Sequence, residues 1–199
     1  MPLPALLDFL LRTAGPPGHE SAPARIWREA AEKFGAEVSV DAMGSSVARV
    51  KGRSERPLLA VVGHIDEIAL LVSHVSDKGF LHVVGSGGWD PQVLVGQRVE
   101  VTAASGATVP GVVGRKPIHL LESEERKKAV ELKKLHVDIG AADAEEARTL
   151  VSEGDQIVLA GEPVQLRGSR VASRSLDNRL GVYVALEVAR RVQEAGGGY

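Results

Sequence analysis

The chain has 199 residues, 44% of them hydrophobic, and carries 24 Lys and Arg against 26 Asp and Glu for a formal charge of -2. That length holds one domain or two small ones, and the lack of a basic excess argues against a general nucleic-acid binder. There is no cysteine, so disulfides and thiolate metal sites are excluded, and any transition metal must be held by His and carboxylates.

With only two Trp, two Tyr and three Phe, the core must be built mainly from Val, Leu, Ile and Ala. No apolar run is long enough to cross a bilayer. Met1 to Phe9 lacks a basic region and contains Asp8, unlike a secretory leader. A cytoplasmic location with no membrane partner is the expectation.

In chain order, Leu3 to Arg12 reads as a helix ended by Gly15-Pro16-Pro17-Gly18. A second helix starts at Ser21, a candidate N-cap, with Pro23 in its first turn. Ala22, Ile26, Ala30 and Phe34 recur every four residues on one face, and Gly35 stops it. Glu37 to Asp41 and Ser46 to Lys51 read as strands joined at Met43-Gly44. After a turn at Ser54-Glu55-Arg56-Pro57 comes Leu58 to Gly63, an apolar run that reads as a strand buried on both faces.

Short β-type runs follow: Ile68 to Val75, Phe80 to Val84, Arg98 to Ala103, Thr108 to Val113 and Gln156 to Leu159. Glycine-containing turns punctuate them, which suggests a small β barrel or sandwich. Glu122 to Lys134 is dense in charge and reads as a solvated helix or loop. Ala144 to Val151 reads as a short helix. From Leu176 the helical period returns, with Leu180, Val184 and Val188 spaced by four, Ser175 as candidate cap and Gly196-Gly197-Gly198 as the stop. The order α, α, β, an all-β block, then α is explained by an α/β domain (1–67 and 165–199) interrupted by an inserted β domain (68–164).

The chemistry concentrates where the apolar run ends, at His64-Ile65-Asp66-Glu67. Ligands of open α/β sheets bind beyond the carboxyl ends of strands. His64 and Asp66 are two apart, so in an extended backbone they share a face. An imidazole beside a carboxylate suits a metal ligand and its orienting partner; the plainer reading is a pair of solvated strand-end side chains. Asp177 falls in the first turn of the last helix, where a carboxylate either charges the helix N-terminus or reaches a metal. A carboxylate can bridge two cations about 3.5–4 Å apart.

Four stretches occur in the order seen in the M42 metallo-aminopeptidases: Val62 to Glu67, Gly114 to Leu121, Val137 to Ala141 and Ser175 to Arg179. The chain resembles that family, which includes glutamyl and tetrahedral aminopeptidases and some proteins labelled endoglucanase, over nearly its whole length. The resemblance implies a parallel-sheet metallopeptidase domain, incomplete here, interrupted by a small β-barrel domain used in oligomerisation. It implies His64 as a metal ligand, Asp66 as the acidic residue orienting that histidine, and Asp177 as the carboxylate bridging two ions of zinc or cobalt. The implied reaction removes N-terminal residues from peptides with a metal-activated water, in a homo-oligomer that is a dodecamer in the full-length family.

Family members continue past the Asp177 helix into a strand bearing a Glu-Glu pair, with a later Asp and His completing the site. Glu124-Glu125 and Glu145-Glu146 lie in the inserted block and do not match that pair. The resemblance therefore implies weak or absent metal binding, no peptidase activity from these 199 residues alone, and exposed apolar faces that favour association. The alternative is a non-catalytic assembly fragment acting through the β domain. A glycosidase needs two carboxylates flanking a sugar, and no such pair stands out. His19, His74, His82, His119 and His136 match no ligand position; a structural or substrate-entry role is expected for His119, and packing roles for Trp27 and Trp89. Gly85-Ser86-Gly87-Gly88 is no phosphate loop, because no Lys-Ser or Lys-Thr follows it.

Overall fold

The N-terminal apolar residues form α1 (Ala5–Arg12), which buries Leu7, Leu10 and Leu11. The computed structural model describes residues 3–54, 56 and 58–197. α2 (Ser21–Lys33) turns Pro23, Ala24 and Ala31 inward, with Ala30 and Phe34 half-buried beside them. Glu20, not Ser21, occupies its N-cap position, and no side chain caps it. The helix ends where Gly35 takes φ +82°. β1 (Glu37–Val40) and β2 (Ser46–Arg49) pair as an antiparallel hairpin with Val38 opposite Ala48. Asp41 Oδ1 accepts from the amides of Met43 and Ser45 and holds its turn.

The chain divides into two units, Met1–Glu67 with Glu162–Tyr199, and Ile68–Gly161. The second is a closed barrel of six strands in the order β3-β4-β7-β6-β5-β8, with β8 returning to β3. Its strands are β3 (Ala69–Val75), β4 (Leu81–Ser86), β5 (Arg98–Thr102), β6 (Thr108–Arg115), β7 (Leu135–Asp138) and β8 (Gln156–Leu159). Every pairing is antiparallel. Period-two patterning selects the inner face: β5 buries Val99 and Val101, and β4 buries Leu81 and Val83. These meet Leu70, Val72, Val113, Leu135, Val137 and Ile157 in one core. Trp89 packs against it and donates its indole N–H to the Ala69 carbonyl at 2.8 Å, a packing role as expected.

Between the strands lie α3 (Pro91–Leu94), α4 (Ser123–Arg126) and α5 (Ala144–Leu150). The charge-dense segment forms α4, closed by a reciprocal capping box of Glu122 and Glu125, and a 3-10 turn at Leu132–Lys134. β7 follows it directly. Four residues of the pattern Leu-His-Val-Asp are too few to signal a strand beside such a charged run. Asp143 caps α5 by accepting from the Glu146 amide at 2.9 Å. Asp143→Ala should therefore lower stability by about 1 kcal/mol, read as an earlier urea midpoint with an unchanged slope.

Back in the first unit, β9 (Val164–Gln165) and β10 (Val171–Ala172) form a small hairpin, whose loop carbonyls are gathered by the Gln165 amide. α6 (Leu176–Glu194) follows. Its buried residues are Arg179, Val182 and Leu186, while Leu180 and Val184 are exposed. The inward face thus lies to one side of the four-residue spacing read from the sequence. Trp27 donates to the Val182 carbonyl at 2.9 Å and ties α2 to α6.

Leu58 to Gly63 departs most from expectation. Among the described residues it forms no strand and pairs with none. Leu58, Leu59 and Val62 are 78%, 81% and 84% exposed. A parallel sheet is likewise not formed among the described residues, where every pairing is antiparallel. An apolar run becomes a buried strand only when neighbouring strands take its hydrogen bonds and a layer covers each face, and among the described residues of this unit no strand pairs with it. No helix of the described residues is long and apolar enough to cross a membrane.

Candidate metal centre

The loop before α6 is shaped to present Asp177. Ser175 takes the left-handed conformation (φ 59°) and makes no side-chain cap bond. Asp177 (φ -92°, ψ 104°) and Asn178 (φ -127°, ψ 40°) are non-helical, and the peptide joining them is cis. The cap is Asn178, whose Oδ1 accepts from the Gly181 amide at 2.9 Å, three residues on, as a helix N-cap does. Ser175 is therefore not the cap, and Asp177 stands outside the regular helix instead of in its first turn. Because Asn178 takes the capping bond, the Asp177 carboxylate is free to face elsewhere.

It faces His64. His64 Nδ1 lies 3.0 Å from Asp66 Oδ1, so the two side chains meet on one side of the segment. On the other side of the ring, His64 Nε2 lies 3.1 Å from Asp177 Oδ1. The structure thus brings together all three residues singled out from the sequence. A neutral imidazole has one donor and one acceptor nitrogen. If Nδ1–H goes to Asp66, Nε2 points a lone pair at a carboxylate oxygen. Two acceptors at that separation suit a shared cation: donors held about 2.0–2.1 Å from one tetrahedral zinc lie a little over 3 Å apart. The donor set fits a divalent ion, with His64 and Asp177 holding it and Asp66 fixing the tautomer. Among the described residues, no group of three or more His, Cys, Asp or Glu side chains is arranged to hold a metal.

Behind this pair lies a buried ionic cluster that the sequence reading missed. Glu67 is buried and accepts from both Arg174 and Arg179, the latter at 3.1 Å. It also accepts from the Gly15 amide at 3.2 Å. Arg179 is wholly buried and donates to the carbonyls of Leu10, Thr13 and Ile65. Arg174 reaches the Arg12 carbonyl at 2.7 Å. Burial pulls the Arg179 pKa below its ordinary value, and the Glu67 carboxylate opposes that pull. The guanidinium stays charged regardless. Glu67 lies three residues after His64 and Arg179 two after Asp177, and that proximity to the candidate ligands was the available signal. Gly63 completes the junction: a Cβ there would stand 2.8 Å from the Val182 nitrogen and 2.9 Å from the Gly181 carbonyl carbon. The His64 segment therefore lies directly against the backbone of α6.

The other histidines are not drawn in. His19 and His119 are exposed, the latter in a 3-10 turn at Ile118–Leu120. His74, His82 and His136 stand on barrel strands.

The chain belongs to the M42 glutamyl aminopeptidase family, whose family model matches residues 44–197. A TET aminopeptidase from a marine sediment archaeon of the Thaumarchaeota superposes with a TM-score of 0.90 at 38% identity, over 96% of this chain and 54% of that one. The TET1 peptidase of Pyrococcus horikoshii, which can assemble into a tetrahedron or a large octahedral shell, gives 0.81 at 32% identity over 96% and 56%. The lysyl aminopeptidase of Pyrococcus furiosus is 31% identical over 95% of this chain and 55% of its own length. The chain spans about half the length of the curated relatives it matches.

Proposed function

We propose that this chain contributes part of a two-metal aminopeptidase site, with His64 as ligand to one divalent ion, Asp177 as the bridging carboxylate and Asp66 as the group orienting His64. The observation that carries the reading is the His64 ring held 3.0 Å from Asp66 and 3.1 Å from Asp177. Zinc or cobalt suits imidazole and carboxylate donors. When bound, such a pair of ions polarises a scissile carbonyl and lowers the pKa of the attacking water. The protein's own contribution is positional. Asp66 holds Nδ1–H and leaves Nε2 free to coordinate, the Asn178 cap releases Asp177 from the helix, and the Glu67–Arg179 cluster fixes both segments to one anchor.

Family membership supports peptides with a free N-terminus as substrates, and the barrel as the domain that joins copies of the chain into a homo-oligomer. The parallel sheet of the metallopeptidase domain belongs to the same proposal: Leu58 to Gly63 would pair with strands beyond those described. A catalytic zinc takes three protein ligands. With His64 and Asp177 alone, these 199 residues should bind zinc weakly and release no N-terminal residue from a leucine anilide.

The test is the ring resonances of His64, identified by their loss in His64→Gln. Zinc should shift them, and Asp66→Asn should weaken the response by roughly 10–100-fold, the usual cost of losing a metal-bound histidine's partner. A His64 signal indifferent to saturating zinc contradicts the assignment.

A further inference from the structure

The barrel carries a row of three histidines that the proposed aminopeptidase chemistry does not use. His74 on β3 stands directly opposite His82 on β4, and His82 stands directly opposite His136 on β7. The next position in the row, on β6, is Gly114. Cross-strand partners hold their Cβ atoms about 4.5–5.5 Å apart, so the imidazoles form a ladder across adjacent strands. The rings of His74 and His82 lie 6.0 Å apart between centroids and are inclined by only 25°. Both residues are exposed. Glu153 Oε1 stands 3.5 Å from His74 Nδ1, so a carboxylate flanks the open end of the row.

The closed end is packed. The His136 ring is tilted against Phe80 at 4.7 Å between centroids. A Cβ on Gly114 would come within 2.6 Å of His136 Nε2, so the absent side chain makes room for that ring. Burial and the neighbouring His82 lower the His136 pKa, against the pull of Asp138. One end of the ladder is thus packed, and the other is two exposed imidazoles beside an anion.

We propose that His74 and His82 form a chelating site for a first-row divalent transition ion, with Glu153 as the adjacent anion and His136 as the packed wall behind it. Neutral imidazole prefers copper, nickel and zinc, and the usual affinity order puts copper first. Metal–nitrogen bonds of about 2.0–2.1 Å bring two ring nitrogens within about 4 Å of each other. Rotation of two exposed rings about their side-chain bonds supplies that approach, without backbone movement, from rings already side by side. Two imidazoles leave the remaining positions to water, as in an exchangeable site, with Glu153 as a nearby counter-charge. The site lies wholly within the barrel unit and shares no residue with the His64 centre.

The test titrates copper(II) into the chain carrying His64→Gln, so that the other centre does not compete, with detection by electron paramagnetic resonance. The expected result is one copper per chain with hyperfine structure from two nitrogens. Replacing His82 by Gln in that background should weaken binding by about tenfold or more, since losing even an outer-sphere partner of a metal ligand costs that much. His74→Gln should do the same, and His19→Gln should do nothing. Both ladder residues are exposed, and circular dichroism confirms that each variant stays folded. No copper bound, or a two-nitrogen signal unchanged by His82→Gln and His74→Gln, overturns the proposal.

Discussion

Arg179→Met should destabilise the protein by about 3–5 kcal/mol, the usual cost of removing one partner from a buried ion pair. The guanidinium is wholly buried, lies 3.1 Å from the buried Glu67 carboxylate and donates to the carbonyls of Leu10, Thr13 and Ile65. Methionine fills a similar volume but supplies no donor. Three carbonyls lose a partner and the Glu67 charge is less compensated, and each such loss is costly in a low-dielectric interior. For a chain of this length, roughly 2–4 °C of melting temperature accompanies each kcal/mol, so a fall of roughly 6–20 °C is expected. Adding Glu67→Gln should recover part of it, because the carboxylate left uncompensated is then gone. A double-mutant cycle on the two positions measures the coupling. Full additivity would show that the two side chains do not act together.

Gly63→Ala should cost about 1–3 kcal/mol, the range for forcing extra atoms into a packed site. Its effect on His64 should be larger than that figure suggests. The new methyl would meet backbone atoms of Gly181 and Val182, which cannot turn aside as the end of a flexible side chain can. Either the His64 segment or the start of α6 must move, and both carry the candidate site. Zinc response at His64 should fall along with stability, whereas Asp143→Ala, in the barrel unit, should leave that response intact. A Gly63→Ala protein with normal zinc response would show that the two segments are not held by this contact.

The His64–Asp66 pairing was legible because period-two geometry makes residues two apart neighbours in any extended segment. Its apposition to Asp177 was not legible from local pattern, because the two residues are 113 positions apart, and only the ordered motifs of a family linked them. The α6 cap was misread for a physical reason. Ser175 is a favoured capping residue, but its left-handed backbone and the non-helical Asp177 shift the true start to Asn178. The inward face of α6 carries Arg179, Val182 and Leu186, which the four-residue spacing of Leu180, Val184 and Val188 did not single out. The apolar character of Leu58 to Val62 was read correctly, but its burial was not, since burial depends on neighbours that a single run does not specify. Barrel strands with strict alternation were plain, and β7 was hidden by brevity.

The most direct measurement is zinc-edge anomalous diffraction from crystals of the chain held at saturating zinc. An ion between His64 Nε2 and Asp177, with Nδ1 still on Asp66, is the result this account predicts. A His64 ring still bonded directly to Asp177, with no anomalous density between them, would contradict it.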